Sequence, residues 1–404
     1  MLNKGICITM LTVMLPVLLQ LYFLRFVSNN MPKSLFGDFS VIYVFMLAVM
    51  QVLISIPLQS FSRFYNEIED RSVFINEYRT LALWLSVVGA MFVFILYFLY
   101  GMRFSLLTYV YSAFWVFVLT NFTIGQQAFL MGMQRGHYFF LKLSEGLAKF
   151  SIPLIFYEYF GGIESLFLGM LVGYCLSYSI LLYFGRSIKF RYTFSLNRLA
   201  KYANYAYPIL FSAVASLIIT FSDRFFIDYY LGAEKLGFYS ILCQFAGFAQ
   251  VIGIAYTTYV TPILLKMFEI SPMKALVKAK KYLFIFFIIL CLLFTLFLML
   301  PKELFVELVG GEIVYNNEYF LTFTIVVASV FLAVFQTALS IYFVLFKKLH
   351  VHAAAFFIVA FLNFGMNFTI IQFGVLAAAI STLIAYVVLN FYIIFWVNHQ
   401  LTKT

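Results

Sequence analysis

Four cations and three acids stand where the sequence is otherwise apolar: Arg25, Arg63, Lys149 and Arg224, with Glu145, Asp223 and Asp228. Lys142, Glu145, Lys149 and Pro153 recur at intervals of three and four residues, which puts them on one helical face. Asp223, Arg224 and Asp228 fall within six residues of each other, and Arg25 and Arg63 lie at the ends of two further apolar stretches. A Lys, Arg or Asp at mid-bilayer costs roughly 2.5–3.5 kcal/mol on insertion scales, so each must face water or a partner. Arg grips phosphate through paired hydrogen bonds and Lys acts as a point charge. Arg25, Arg63, Lys149 and Arg224 around a wet space therefore suit an anionic substrate. Glu145 is spaced to pair with Lys149, and Glu145, Asp223 and Asp228 are candidates for taking up a coupling proton or sodium ion. The plainer readings are a structural ion pair for Lys149, interfacial solvation for Asp228, snorkelling for Arg25 and inner-face retention for Arg63.

No nucleophile, base or metal set accompanies these charges. Cys7, Cys175, Cys243 and Cys291 are far apart, and His137, His350, His352 and His399 form no ligand spacing. No catalytic residue, metal or cofactor is expected. Uncharged polar stripes are more common. Gln51, Ser55 and Gln59 form one, as do Ser212, Ser216 and Thr220; Ser329, Gln336 and Ser340; and His352, Asn363 and Asn367. Such groups join helices, and their spread over both halves fits a shared wet cavity.

The elements that must carry these residues are membrane helices. Of 404 residues, 64% are hydrophobic and 10% charged, against about half apolar and a quarter charged in soluble domains. With lipid as solvent only helices or closed barrels satisfy the backbone, and the apolar stretches are continuous rather than alternating. Spans are expected at 5–27, 38–60, 80–100, 104–128, 140–160, 163–184, 206–231, 237–265, 282–301, 319–346, 351–371 and 375–397. The first runs into Arg25 without a small-residue cleavage site and is read as a span.

With the N-terminus inside, only Lys33, Arg103, Lys235 and Lys302 of the 26 lysines and arginines fall in outer loops, and Arg25, Lys149 and Arg224 lie in spans. The remainder are cytoplasmic, so both termini are expected inside. The net charge of +10 is spread through these short loops, which argues against nucleic acid. No connection is long enough to fold as a domain. The expectation is an all-α polytopic membrane protein of about twelve transmembrane helices, with an N-terminal lobe at 1–190 and a C-terminal lobe at 191–404.

The halves also repeat. Arg25-Phe26 and Gly37-Asp38-Phe39-Ser40 match Arg224-Phe225 and Gly237-Phe238-Tyr239-Ser240 at an offset of about 200, and Phe160-Gly161 matches Phe373-Gly374. Six spans separate the copies, so they share an orientation. Parallel repeats of this kind are a transporter design.

Four stretches carry a family resemblance: LYFLRFVSNNMPKSLFGDFS, PLQSFSRFYNE, SDRFFIDYYLGAEKLGFYS and LNFGMNFTIIQFGVLAAAIS. In order, layout and length the chain resembles the polysaccharide flippases of the multidrug/oligosaccharidyl-lipid/polysaccharide exporter superfamily. The resemblance implies two parallel six-helix lobes around a central cationic cavity in a bacterial inner membrane. It implies alternating access, coupled to an ion gradient, that flips an undecaprenyl-pyrophosphate-linked oligosaccharide for O-antigen or capsule synthesis. Membrane lipids, a polysaccharide polymerase and a chain-length regulator are the implied partners. Arg25, Arg63, Asp223 and Arg224 match the family's charged span-end motifs, whereas Lys149 rests on its position alone. The alternatives are a drug or cation antiporter of the same superfamily, which would need acids to dominate the cavity, and a membrane polysaccharide polymerase, for which a large outer loop is missing.

Overall fold

The computed structural model describes residues 4–65, 68–100, 103–132, 134–187, 191–346 and 348–402. The first half contains α1 (Lys4–Asn30), α2 (Lys33–Phe64), α3 (Arg71–Tyr100), α4 (Leu106–Met131), α5 (Arg135–Gly146), α6 (Ile152–Phe160) and α7 (Gly162–Phe184). The second contains α8 (Leu196–Leu231), α9 (Ala233–Ala246), α10 (Gln250–Ile270), α11 (Pro272–Met299), α12 (Lys302–Val309), α13 (Gly311–Tyr315), α14 (Asn317–Leu339), α15 (Ile341–Leu345), α16 (Leu349–Met366) and α17 (Ile370–Leu401). A π turn joins α5 to α6, a 3-10 turn joins α9 to α10, and α14 runs on into α15. Joined in this way, and setting aside the short α12 and α13, the rods among the described residues number the twelve expected. Among the described residues nine stretches are long and apolar enough to cross a membrane, and the last, Leu349–Leu401, is broken at Gly374 into two spans.

The long rods follow from apolar composition, since a helix satisfies its own backbone in lipid. Their outward faces carry large exposed apolar side chains, such as Phe98 at 83% and Phe395 at 74% exposure. Polar caps mark several starts. Asp70 accepts from the amides of Ser72 and Val73, each at 3.1 Å, and from the Ser72 hydroxyl at 2.8 Å. These bonds, the hydroxyl first, hold its carboxyl below the ordinary range. Asn316 caps α14 through the Glu318 and Tyr319 amides.

The chain divides into two compact units, Met1–Phe26 with Asp38–Ala213, and Val27–Gly37 with Val214–Thr404. The main division of the chain by contacts falls after Ala213. The connection after α7 and the start of α8 are fastened to α3 and the end of α2. Trp84 Nε1 donates to the Tyr192 hydroxyl at 2.9 Å and the Thr193 amide to Thr80 Oγ1 at 3.3 Å. Arg198 forms an ion pair with Glu77, a carboxylate that is otherwise buried. Tyr202 packs against the rings of Phe64, Phe74 and Tyr78.

Within the second unit, the segment 27–37 meets the start of α9 backbone to backbone. A Cβ at Gly37 would lie 1.7 Å from the Ala233 carbonyl oxygen, and one at Gly237 would lie 1.9 Å from the Lys33 carbonyl oxygen. The contact is reciprocal at an offset of 200 residues, and only glycine permits it. The second matched pair also agrees: Gly161 and Gly374 both have φ +65° and break their helices. The repeat read from short motifs is therefore present in backbone geometry.

Candidate functional site

The charged face of the first unit is built around a local distortion. Pro153 has no amide hydrogen to give the Lys149 carbonyl, four residues before it. The chain widens into a π turn over Leu147–Ser151, and the Ile152 amide reaches back to Leu147 instead. Single π turns inside helices often mark functional positions. Two glycines of α7 hold this turn close. A Cβ at Gly173 would sit 2.6 Å from Ala148 Cα, and one at Gly169 would sit 2.7 Å from Pro153 Cα. The Gly169-x-x-x-Gly173 spacing is a known signal of close helix approach in membranes.

Lys149 is carried by this turn and is half-buried. Its Nζ lies 5.8 Å from the Tyr43 ring centroid and 5.1 Å from that of Phe150, and it is in hydrogen-bonding reach of the Tyr43 hydroxyl. Tyr43 stacks between Phe39 at 5.4 Å and Trp115 at 5.7 Å, and Trp115 also meets Phe167 and Tyr174 at 6.2 Å. The Trp115 indole Nε1 is buried with no hydrogen-bond partner among the described residues. The ammonium thus lies against the rings of Tyr43 and Phe150, a setting that favours a cation, and Tyr43 is itself held in an aromatic cluster drawn from α2, α4 and α7.

Glu145 does not form the ion pair with Lys149 that its spacing suggested. It bonds Lys142 at 2.8 Å, three residues before it. The reason is geometric: Lys142 shares the regular turn of α5 with Glu145, whereas the π turn intervenes before Lys149. The Lys142–Glu145 pair is neutral, so Lys149 supplies the net positive charge of this face.

In the second unit, Asp223, Arg224 and Asp228 are all buried on α8, at 2%, 7% and 5% exposure. Asp223 accepts from the Tyr239 hydroxyl of α9, and from the Arg224 amide at 2.8 Å. The Arg224 guanidinium lies 5.1 Å from the Phe221 ring centroid, next to the Cys243 thiol, and its Nε has no partner among the described residues. Beside them runs a buried relay. Ser222 donates to Asn363 at 3.3 Å, Asn367 donates to Ser222 at 2.9 Å, and Ser381 donates to Asn367 at 2.7 Å. A second cluster joins Gln336, Ser340 and His352. Of the polar stripes of the second half, Gln336 and Ser340 thus meet His352, and Asn363 and Asn367 meet Ser222 and Ser381.

Arg25 is exposed on α1, and the Arg63 side chain lies outside the described residues. The structure therefore gathers Lys149 with Glu145 and Lys142 in one unit, and Asp223 with Arg224 in the other. Sequence spacing missed Tyr43, Trp115 and Tyr174, whose aromatic types read as ordinary packing. The two glycines of α7 were the available signal for the close approach that places Lys149.

The same architecture occurs in solved transporters. The chain matches an inward closed conformation of the lipid II flippase MurJ with a TM-score of 0.70 at 18% identity, over 97% of this chain and 87% of that one. It matches an inward-facing multidrug resistance MATE family transporter of the MOP superfamily, also at 0.70, with 12% identity and 99% of each chain covered. A MOP superfamily transporter from Pyrococcus furiosus, described as having reverse polarity of its binding pocket, matches at 0.56 with 12% identity, over 98% and 94%. At these identities the likeness shows the fold. No curated protein matches. Residues 2–268, about two thirds of the chain, match the family described as polysaccharide biosynthesis protein, and this multi-pass membrane protein belongs to that family.

Proposed function

We propose that the protein flips an undecaprenyl-pyrophosphate-linked oligosaccharide from the inner to the outer leaflet of a bacterial cytoplasmic membrane, for O-antigen, capsule or a related surface glycan. The observation that carries this reading is Lys149, a span cation left in excess once Glu145 is taken by Lys142. A pyrophosphate cannot enter hydrocarbon unless fixed cations and water replace its solvation. Lys149 would supply one such charge while the isoprenoid tail stays in lipid. Family membership supports a glycan as cargo, and the fold shared with a lipid II flippase supports a lipid-linked one.

Arg25, Arg63 and Arg224 are further proposed contacts for the head group. Coupling to a proton or sodium ion is assigned to Asp223, with Glu145 and Asp228 as secondary positions. Uptake of an ion at Asp223 would compete with the Tyr239 hydroxyl, so binding would be felt directly by α9. A ligand that favours one arrangement over another shifts their populations by its differential affinity. In this reading the protein makes no covalent bond, and a polymerase and a chain-length regulator act on its product.

The test is a null strain. Labelled lipid-linked repeat unit should accumulate on the inner leaflet while surface polysaccharide disappears. Single repeat units displayed at the surface without polymer would identify a polymerase and contradict the proposal.

A further inference from the structure

The second unit has a groove that the transport reading does not use. A cavity of about 650 Å³ opens between α11, α14 and α17, walled by Phe284, Phe287, Phe335, Tyr342 and Val397. Its polar lining is Lys280, Lys281 and Asn398. A neighbouring cavity of about 510 Å³ shares Val277 and Lys281 with it, and adds Lys274 and Lys278. Among the nine stretches of described residues long and apolar enough to cross a membrane, α11 is the least buried, at 11%, so the groove is open to lipid. Among the described residues none of the four lysines has a carboxylate partner. The positive-inside count places this end of α11 at the cytoplasmic surface.

We propose that this groove is a site for an anionic phospholipid of the cytoplasmic leaflet, with an acyl chain along the aromatic wall and its phosphate on Lys280 and Lys281. The two parts of the site call for one amphiphile. The walls offer almost nothing to a polar ligand, so a soluble anion would leave them empty. The lysines, clustered within eight positions at one end, offer nothing to a neutral lipid. Basic pockets between spans on the cytoplasmic side are where anionic head groups bind. Lys274 and Lys278, in the adjoining cavity, extend the positive field past the phosphate, and Lys278 also lies 5.5 Å from the Tyr282 ring centroid. The site is separate from the Lys149 face, so it stands or falls independently of the transport proposal.

The test uses the full-length protein in detergent with equal amounts of phosphatidylglycerol and phosphatidylethanolamine of the same acyl chains, and native mass spectrometry reads the retained lipid. Phosphatidylglycerol should be preferred on the order of tenfold, from two lysines near the head group. The double variant Lys280→Gln, Lys281→Gln should lose that preference, and Lys201→Gln, an exposed cation on α8, should keep it. If the double variant is not recovered from the membrane, Val277→Trp tests the site instead, because this exposed residue lines both cavities. It should lower retention of phosphatidylglycerol. An unchanged preference in the lysine variant, or unchanged retention in the tryptophan variant, overturns the proposal. So does retention of an isoprenoid pyrophosphate at these lysines in place of phospholipid.

Discussion

At the scale of single residues, the account turns on which of two lysines Glu145 neutralises. The 2.8 Å bond to Lys142 leaves Lys149 among aromatic faces, with Tyr43 as its polar neighbour. Lys149→Ala should therefore reduce surface polysaccharide on the order of tenfold or more, the scale of a lost hydrogen bond to a charged group. Protein in the membrane should stay unchanged. Lys149→Arg should keep part of the activity, because charge is retained while the compact ammonium is not. The double variant Lys149→Ala, Glu145→Gln separates substrate binding from simple neutralisation. It should remain inactive, since Glu145 has its own partner; recovery would show that Lys149 only balanced a buried acid. The place of Lys149 inside a span was legible in the sequence. Its partner was not, because helical spacing assumes a regular helix and Pro153 imposes a π turn between Glu145 and Lys149.

At the scale of elements, glycines decide how closely helices approach. The crossing of residues 33–37 with 233–237 places backbone against backbone, and a methyl group at Gly237 would fall 1.9 Å from a carbonyl oxygen. Neither partner atom is a flexible side chain, so the element itself must shift. Gly237→Ala should lower stability by about 1–3 kcal/mol, the usual cost of overpacking, read as a fall in melting temperature in detergent. Gly136→Ala is the matched control, since nothing lies within 4 Å of the added carbon; equal melting temperatures for the two would contradict the reading. The matched motifs around Gly37 and Gly237 were visible as a repeat, but sequence could not show that the copies touch. The polar stripes were visible in the same limited way. Asn363 of α16 and Asn367 of the 3-10 turn after it were read as a stripe, but their partners Ser222 of α8 and Ser381 of α17 were not, because only packing joins them. The connection after α7 was invisible as a packed element, because Glu77 and Arg198 are 121 positions apart and their pairing follows from the burial of Glu77.

At the scale of the molecule, apolar composition specified twelve rods among the described residues, since the bilayer demands long, self-satisfied helices, but α3, α8 and α11 begin nine to ten residues before the expected spans, in polar stretches that leave no apolar trace. The break at Gly374 was legible from its resemblance to the Phe160-Gly161 turn, and α12 and α13 were not, being too short to leave a periodic trace. Orientation rests on the distribution of lysine and arginine. Fusion reporters near 70, 195 and 275 should read cytoplasm, and those near 33, 234 and 310 should read outside; a swap at two or more sites would overturn the topology. The proposed cargo rests on charge and family rather than on sugar-reading contacts, so the substrate class is the central claim. The most direct measurement is translocation in sealed proteoliposomes carrying a fluorescent undecaprenyl-pyrophosphate-linked oligosaccharide, with label on the far leaflet read by a membrane-impermeant quencher. The account predicts transfer by the unaltered protein and transfer reduced on the order of tenfold or more in Lys149→Ala, the scale of a lost hydrogen bond to a charged group. Equal transfer by the two proteins, or no transfer above protein-free vesicles, would contradict it.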